Sequence, residues 1–171
     1  MATTKQYGKF DDYHCQIYIP TGRMLDVILN GQVHLTQNFC VWEIANKQAI
    51  EDIKLVIPQR AWLHLQLIQR LRDKTYNRYR TGMTVSSGYR TESFNKSCGG
   101  SKNSAHLNCC ATDFINISQD KYAIYRNWWR ELCNEVGVVG GINYYKDNRI
   151  HVCSYEEKFG NKRFTERDYR K

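Results

Sequence analysis

The segment PQRAWLHLQLIQRLRDK, residues 58–74, is the strongest helix signal in the chain and the feature that most constrains its fold. Pro58 suits the first helical turn, where the N–H that proline lacks would have no partner. Apolar residues then recur every three to four positions, as on the buried face of a helix. The predicted stripe is Trp62, Leu65, Ile68 and Leu71 or Arg72. A helix of this length with one apolar face requires a second layer of structure to cover it.

The second layer is predicted from short segments with strand character. The predicted strands are residues 16–19, 25–29, 83–89, 111–118, 140–145 and 149–155, the last two forming a hairpin that turns near residues 146–148. Two more helices are predicted, a short one over residues 34–45 and a longer one over 119–137. Ser118 caps the longer helix and Gly137 ends it. Its buried stripe is predicted to be Tyr125, Trp128 or Trp129, Leu132 and Val136. Helices that precede most of the strands predict an α+β fold, with a small antiparallel sheet packed against two to three helices.

The chain length of 171 residues predicts one globular domain. We assign residues 33–171 to this domain and residues 1–32, which are turn-rich, to an N-terminal extension. The first 16 residues have no apolar core of a signal peptide, and no apolar run approaches the roughly 18 residues of a membrane span. These features predict a protein made in the cytoplasm, without a transmembrane segment.

The chain is basic, with 25 Lys and Arg against 17 Asp and Glu and a net charge of +8. The positive charge favours an acidic partner such as nucleic acid, an anionic membrane face or the acidic polymers of a bacterial wall. Solubility alone is the alternative explanation of the charge. The run TYNRYRTG, residues 75–82, mixes basic residues with tyrosines in a way that nucleic-acid-binding surfaces do. It is better explained as a solvated helix end, so no specific nucleic-acid partner is predicted.

The seven cysteines are odd in number and form no CxxC pair. They lie at positions 15, 40, 98, 109, 110, 133 and 153. This argues against a thiolate zinc knuckle and against a thioredoxin-type redox site. Most are predicted to be small buried hydrophobic residues, and a disulfide framework is the weaker interpretation.

Residues 87–114, SGYRTESFNKSCGGSKNSAHLNCCATDF, gather polar and reactive groups that a core strand would not carry throughout. A metal site, a disulfide knot and an ordinary polar loop can each explain them. His106 precedes the predicted strand that holds Asp113, and His151 lies in the middle of the last predicted strand. If the two strands are neighbours, side-chain alternation lets His151 and Asp113 share one face. Two imidazoles and one carboxylate suit zinc and leave a fourth position open for water, the pattern of catalytic rather than structural sites. His64, in an apolar setting, is predicted to be a packed or surface histidine and not a ligand.

Residues 33–155 also contain an ordered set of short motifs. They are Ser87-Gly88-Tyr89-Arg90, Asn95, Gly99-Gly100, Ser104-x-His106, Ala111-x-Asp113 and Tyr144-Tyr145 ahead of His151. This set resembles the peptidase M15 family of zinc metallopeptidases that cut bacterial cell-wall peptides. The same group is also called LAS, after lysostaphin, D-Ala-D-Ala peptidases and sonic hedgehog. The upstream segment LTQNFCVWEIA is similar to the lead-in of that family.

The resemblance implies a site. The zinc ligands would be His106, Asp113 and His151, and Arg90 would hold the substrate carbonyl or carboxylate and stabilise the oxyanion. Substrate-binding roles are implied for Ser87, Tyr89, Ser104 and Tyr145. For both serines, turn formation explains the residue equally well.

The sequence departs from the family pattern at two places. The family glycine in HxxGxAxD is replaced by Cys109, with Cys110 after it, so the local turn is expected to differ. The acidic general base of relatives lies three residues before the last zinc histidine or two after it, and these positions hold Asn148 and Cys153. Three explanations remain for the absence of an acidic residue at both positions. Asp147 acts as the base, Cys153 acts as a ligand or a poor base, or the chain binds zinc and wall peptide without cutting.

The resemblance implies a Zn²⁺-dependent peptidase that hydrolyses D-amino-acid-containing stem or cross-link peptides of bacterial peptidoglycan. We expect a monomeric phage endolysin, made in the host cytoplasm and acting on the cell wall after release. Asp147 is the predicted base. The alternative is a catalytically inactive, zinc-containing wall-binding module of the same fold.

Overall fold

The computed structural model describes residues 14–18, 34–45, 54–155 and 160–170. The strand predicted over residues 25–29 and most of the predicted N-terminal extension lie outside these ranges. Strand β1 (His14–Tyr18) overlaps the first predicted strand. It pairs antiparallel with β2 (Lys54–Pro58), which the sequence did not predict.

The described helices and the main sheet give the α+β fold that the sequence predicts. The helices are α1 (Val41–Ala45), α2 (Gln59–Tyr79), α3 (Glu92–Ser97) and α4 (Tyr122–Glu135), with 3₁₀ turns at Ala105–Asn108 and Gln119–Lys121. The strands of the main sheet are β3 (Thr84–Ser87), β4 (Ala111–Ile115), β5 (Gly141–Tyr145), β6 (Ile150–Cys153) and β7 (Thr165–Tyr169). Their spatial order is β3-β4-β6-β5-β7. The sheet is antiparallel except at its edge, where β7 runs parallel to β5.

Helix α2 starts one residue later and ends later than the sequence predicts. Pro58 closes β2, and α2 continues through the TYNRY segment to Tyr79. This confirms the interpretation of that run as a helix end. The predicted stripe is correct for Leu65, Ile68 and Leu71, which are buried, but wrong for Trp62, which is 38% exposed.

The other two predicted helices also differ in detail. Helix α1 covers only the last five residues of the predicted segment, because residues 34–40 form a turn closed by a bridge between His34 and Cys40. In α4 the stripe of Tyr125, Trp129 and Leu132 is buried as predicted. Val136 is exposed, because it lies at the helix end rather than on the buried face.

The core lies between the helices and the back of the main sheet. Six cysteines have described side chains, and none of these six forms a disulfide. All but Cys98 are buried, as predicted for small apolar residues. In the described part of the chain, no helix combines the length and apolar character that crossing a bilayer requires.

His64 connects α2 to the back of the sheet. Its Nδ1 lies 2.9 Å from the Ser154 hydroxyl and its Nε2 lies 3.0 Å from the Thr112 hydroxyl. The ring is fully buried and stands edge-on to Trp129. Burial, with weaker repulsion from His106 and His151, lowers the pKa of His64 to about 3. His64 is therefore a packed neutral histidine, as predicted.

We expect this buried imidazole to make the protein less stable in acid. The unfolded chain takes up a proton at His64 near pH 6.5, whereas the folded protein does so only near pH 3. The free energy of unfolding should therefore fall by up to about 1.4 kcal/mol per pH unit as the pH drops through this window. Urea unfolding of the wild type and His64→Gln from pH 7 to pH 4, both in chelator, measures this contribution. Parallel curves for the two proteins would exclude it.

Candidate active site

A row of polar residues crosses all five strands of the main sheet. In the strand register Ser87 pairs with Asp113, Asp113 with His151, His151 with Asn143, and Asn143 with Arg167. Strand β6 lies beside β4, so Asp113 and His151 occupy one face, which meets the condition set by side-chain alternation. This row faces a cleft of about 920 Å³. Alternate residues such as Thr112 and Val152 point to the core instead, where they are buried.

Three potential metal ligands converge in the cleft. The Nδ1 atom of His151 lies 2.7 Å from Oδ1 of Asp113 and 3.3 Å from Nε2 of His106. The distance from Nε2 of His106 to Oδ1 of Asp113 is 3.4 Å. His106 and Asp113 are buried and His151 is half-buried. In the part of the chain that the structure describes, this is the one cluster of ligand side chains able to hold a metal ion.

The spacing of the three atoms fits zinc. Bonds of about 2.0–2.2 Å at tetrahedral angles hold neighbouring ligand atoms about 3.3–3.5 Å apart. Two of the three separations, 3.3 and 3.4 Å, already have this value. The third, 2.7 Å, is a hydrogen-bond distance between His151 and Asp113, and needs to widen by roughly 0.6 Å. The donor set and its spacing therefore suit zinc with an open fourth position.

A short 3₁₀ turn aims His106 at the cluster. The Ser104 hydroxyl accepts a hydrogen bond from the backbone N–H of His106 and so caps the turn. At the other side of the ring, Nδ1 of His106 lies 2.5 Å from the Gly88 carbonyl. When Nδ1–H donates to this carbonyl, the lone pair of Nε2 is left to face Asp113 and His151.

Gly88 can hold this carbonyl in place only because it has no side chain. A Cβ atom there would lie 2.5 Å from the backbone oxygen of Ile44 and 3.0 Å from its Cα. The same oxygen accepts a hydrogen bond from the N–H of Tyr89 at 2.7 Å. The SGYR motif is thus held tightly between α1 and the turn that carries His106.

We expect Gly88→Ala to destabilise the fold by about 1–3 kcal/mol, because the added methyl overlaps backbone that cannot move freely. Displacement of the Gly88 carbonyl should also weaken zinc binding about 10- to 100-fold, the usual effect of losing a partner of a ligating histidine. Urea unfolding and a zinc titration measure the two effects. Gly82→Ala is the matched control, because nothing lies within 4 Å of a Cβ at Gly82. Equal stability and zinc affinity of the two variants would contradict the expectation.

Cys109, at the position of the family glycine, ends the 3₁₀ turn that carries His106. Its backbone is left-handed, with φ 52° and ψ 32°. A residue with a side chain pays about 1–2 kcal/mol to adopt this conformation, and glycine does not. Burial raises the pKa of the Cys109 thiol far above its ordinary value, so this cysteine is an inert packed residue.

The surroundings of Asp113 and His106 shift the pKa values of these two candidate ligands in the directions that favour metal binding. Burial acts to raise the pKa of Asp113, but hydrogen bonds and charge interactions with the two histidines outweigh it and hold that pKa well below the ordinary range. Burial lowers the pKa of His106, against the opposing influence of Asp113. An ionised carboxylate and a neutral imidazole are the forms that bind zinc.

Arg90 contacts the far side of the same carboxylate. Its Nη2 donates to Oδ2 of Asp113 at 2.9 Å, and its Nε donates to the Ser87 hydroxyl at 2.8 Å. Asp113 can therefore offer Oδ1 to a metal while Arg90 holds Oδ2. The guanidinium also lines the cleft, next to the position of the ligands.

Of the other residues predicted from the sequence, Ser87, Ser104, Tyr145 and Asp147 all line the cleft. Tyr89 is not brought there; its half-buried ring packs against the hydrophobic core. The Asp147 carboxylate, 60% exposed, lies at the β5–β6 turn with Oδ2 3.4 Å from Nε of Arg149. Asn148, in the same turn, has a left-handed backbone with φ 56°. Cys153 is buried at the cleft wall, in the strand position two residues beyond His151.

Two cleft residues, Asn143 and Arg167, were missed by the sequence reasoning. Asn143 was visible as the polar residue in GINYY, and its place in the alternation could have indicated it. Arg167 lies in the basic C-terminal tail, and only the pairing of β7 with β5 brings it to the cleft. Asn143 directly precedes the Tyr144-Tyr145 pair of the family pattern, whereas Arg167 lies beyond that pattern.

In a comparison with known protein families, a family model described as Peptidase M15 matches residues 37–153, which include the three candidate ligands, Arg90 and Asp147. The matched range ends at the last residue of β6, before β7 begins. No curated protein matches the chain significantly.

Proposed function

Because the chain belongs to the peptidase M15 family, we propose that it is a zinc-dependent peptidase that hydrolyses peptide bonds of bacterial peptidoglycan. The substrates would be stem or cross-link peptides that contain D-amino acids, and the biological setting would be a phage endolysin. The net charge of +8 suits an anionic wall.

The observation that carries this proposal is the cluster of His106, Asp113 and His151 in an open cleft. Two ligand separations already match tetrahedral zinc, and the cleft is large enough for a peptide. When bound there, zinc would lower the pKa of a coordinated water and polarise the scissile carbonyl.

Arg90 is proposed to bind the substrate carbonyl and stabilise the oxyanion. Its guanidinium is fixed by Ser87 and Asp113, so it loses little freedom when substrate binds. From this position it would hold the substrate carbonyl and stabilise the negative charge that develops on the carbonyl oxygen.

Asp147 is the proposed general base and acid. Its carboxylate lines the cleft at the turn between β5 and β6, the strand that carries His151, and lies 3.4 Å from Arg149. It would take a proton from the attacking water and return it to the leaving amine.

A second candidate function follows from Asn148 and Cys153, which occupy the positions where relatives carry the base. A buried thiol at Cys153 would be a poor base, and a site without a base would bind zinc and wall peptide without cutting. Release of free amines from purified peptidoglycan, measured with and without chelator, separates the two functions. Chelator-sensitive release supports the peptidase; zinc binding and wall binding without release support the binding module.

A further inference from the structure

His64 lies behind the cluster of candidate ligands, on the core side of the main sheet. The ring comes from α2, and its Nε2 and Nδ1 atoms lie 3.0 Å from the Thr112 hydroxyl and 2.9 Å from the Ser154 hydroxyl. Thr112 directly precedes Asp113 on β4. Ser154 directly follows β6, the strand that carries His151. The ring therefore connects, from behind, the two strands that carry two of the three candidate ligands.

These three side chains form a small polar network inside an apolar core. His64 is fully buried, and so are Thr112 and Ser154. The ring is neutral near pH 7, because burial lowers its pKa to about 3. A neutral imidazole donates from one nitrogen and accepts at the other, and a hydroxyl can take either role, so both contacts can be made together. Loss of the ring would leave two buried hydroxyls without this partner.

Helix α4 contacts the same place from the other side of the ring. Trp129 stands edge-on to His64 with ring centroids 5.7 Å apart, and its Nε1 donates to the Cys153 carbonyl at 3.0 Å. The backbone N–H of Ser154 donates to the Cys110 carbonyl at 3.1 Å, which joins the end of β6 to the start of β4. Two helices thus contact the back of the ligand strands at one point.

The polar network favours one register of β4 and β6 over its neighbours. In the observed register Thr112 pairs with Val152, and Asp113 pairs with His151. A slip by one residue would turn the side chains of the moved strand to the opposite face. One candidate ligand would then point into the core, and one hydroxyl would leave His64. Purely apolar contacts would oppose such a slip less strongly, because they are not directional.

We propose that His64 is a positioning residue of the metal site. Through its two hydroxyl partners it holds β4 and β6 in the register and at the spacing that bring Asp113 and His151 together. The ring itself touches neither the metal nor the substrate, because it lies on the other face of the sheet. This role rests on the proposed function, since it concerns the zinc that the peptidase would use.

The zinc affinity of His64→Phe, measured by competition with a chelating indicator near neutral pH, tests this role. The phenyl ring fills the space of the imidazole but bonds neither hydroxyl. We expect the Kd for Zn²⁺ to rise about 10-fold, the low end of the effect of losing a direct partner of a ligating residue. The visible absorption spectrum of the Co²⁺-loaded protein should shift as well, because that spectrum depends on the geometry of the ligands.

A triple variant separates the positioning role from fold stability. The combination of His64→Phe, Thr112→Val and Ser154→Ala makes the whole network apolar and leaves no hydroxyl unpaired. Its urea midpoint should return toward the wild-type value, whereas its zinc affinity should stay about 10-fold lower. Ser154→Ala alone is the smallest change and should weaken zinc binding about threefold. This variant keeps the test available if the larger ones do not fold.

Thr75→Val is the matched control on the same helix. Thr75 is also buried, its hydroxyl donates to the Leu71 carbonyl at 2.8 Å, and it is not part of the cleft lining. Its loss should change stability and leave zinc binding and the Co²⁺ spectrum as in the wild type.

Wild-type zinc affinity in the triple variant and in Ser154→Ala would overturn the positioning role and leave the peptidase proposal intact. Absence of zinc binding by the wild type would overturn both. If zinc binding weakens as expected but the wild type releases no amines from peptidoglycan, the positioning role stands and the peptidase proposal fails.

Discussion

Replacing His106 with alanine should reduce hydrolysis of purified peptidoglycan to below about a thousandth of the wild-type rate. His106 supplies one of three atoms that lie 2.7 to 3.4 Å apart, and two ligands hold zinc far less well than three. A chelator should reduce the activity of the wild type to the same extent, and added zinc should restore that activity. Amine release measures activity, and atomic absorption of the purified protein measures bound zinc.

The buried position of His106 makes a folding control necessary, because its ring also contacts the Gly88 carbonyl. His151→Gln removes a less buried ligand on a strand and should lose zinc and activity together, with an unchanged circular dichroism spectrum. His34→Ala is the matched histidine control, since His34 is exposed and lies outside the cleft lining. Retention of full activity by a folded His106→Ala or His151→Gln protein would refute the metal site.

Replacing Asp147 with asparagine should lower kcat about 100- to 10,000-fold while zinc binding stays at the wild-type level. The substitution keeps the size of the side chain and removes its ability to carry a proton. Kinetics with a synthetic stem peptide measure kcat, and atomic absorption of the purified variant measures bound zinc.

Asp147→Asn also releases Arg149, which contacts the carboxylate at 3.4 Å. Arg149→Gln separates the two effects, since it removes the contact and leaves the carboxylate; it should keep most of kcat. Cys153→Asp places a carboxylate where relatives have one. If Asp147→Asn retains full activity, Asp147 is not the base. If only Cys153→Asp cuts the wall, the natural protein is the binding module.

Helices α1, α2 and α4 and most of the strands could be predicted from the sequence because their signals are local, whereas the short helix α3 was not predicted. The spacing of Leu65, Ile68 and Leu71 is a property of one segment, and it correctly identified the buried face of α2. The same reasoning wrongly predicted that Trp62, at the start of the α2 stripe, and Val136, at the end of the α4 stripe, are buried. Near helix ends, burial depends on which neighbouring element covers the residue, and periodicity does not contain that information.

The candidate ligands were named chiefly from the resemblance to the family. His106, Asp113 and His151 are of residue types that bind zinc, but their spacing alone is a weak signal. Tyr89 lies in the same SGYR motif as Arg90, but its half-buried ring packs against the hydrophobic core. Its substrate-binding role stays a prediction.

The amino-acid sequence by itself determined the secondary structure of the main elements, the chemistry of the candidate ligands and the family to which the chain belongs. Tertiary structure alone decided which residues share the cleft. The pairing of β4 with β6 and of β5 with β7 unites Asp113, His151, Asn143 and Arg167 from four separate strands. Close approach of Ile44 makes Gly88 necessary. Such contacts join residues far apart in the chain, and they depend on strand order and packing rather than on any local pattern.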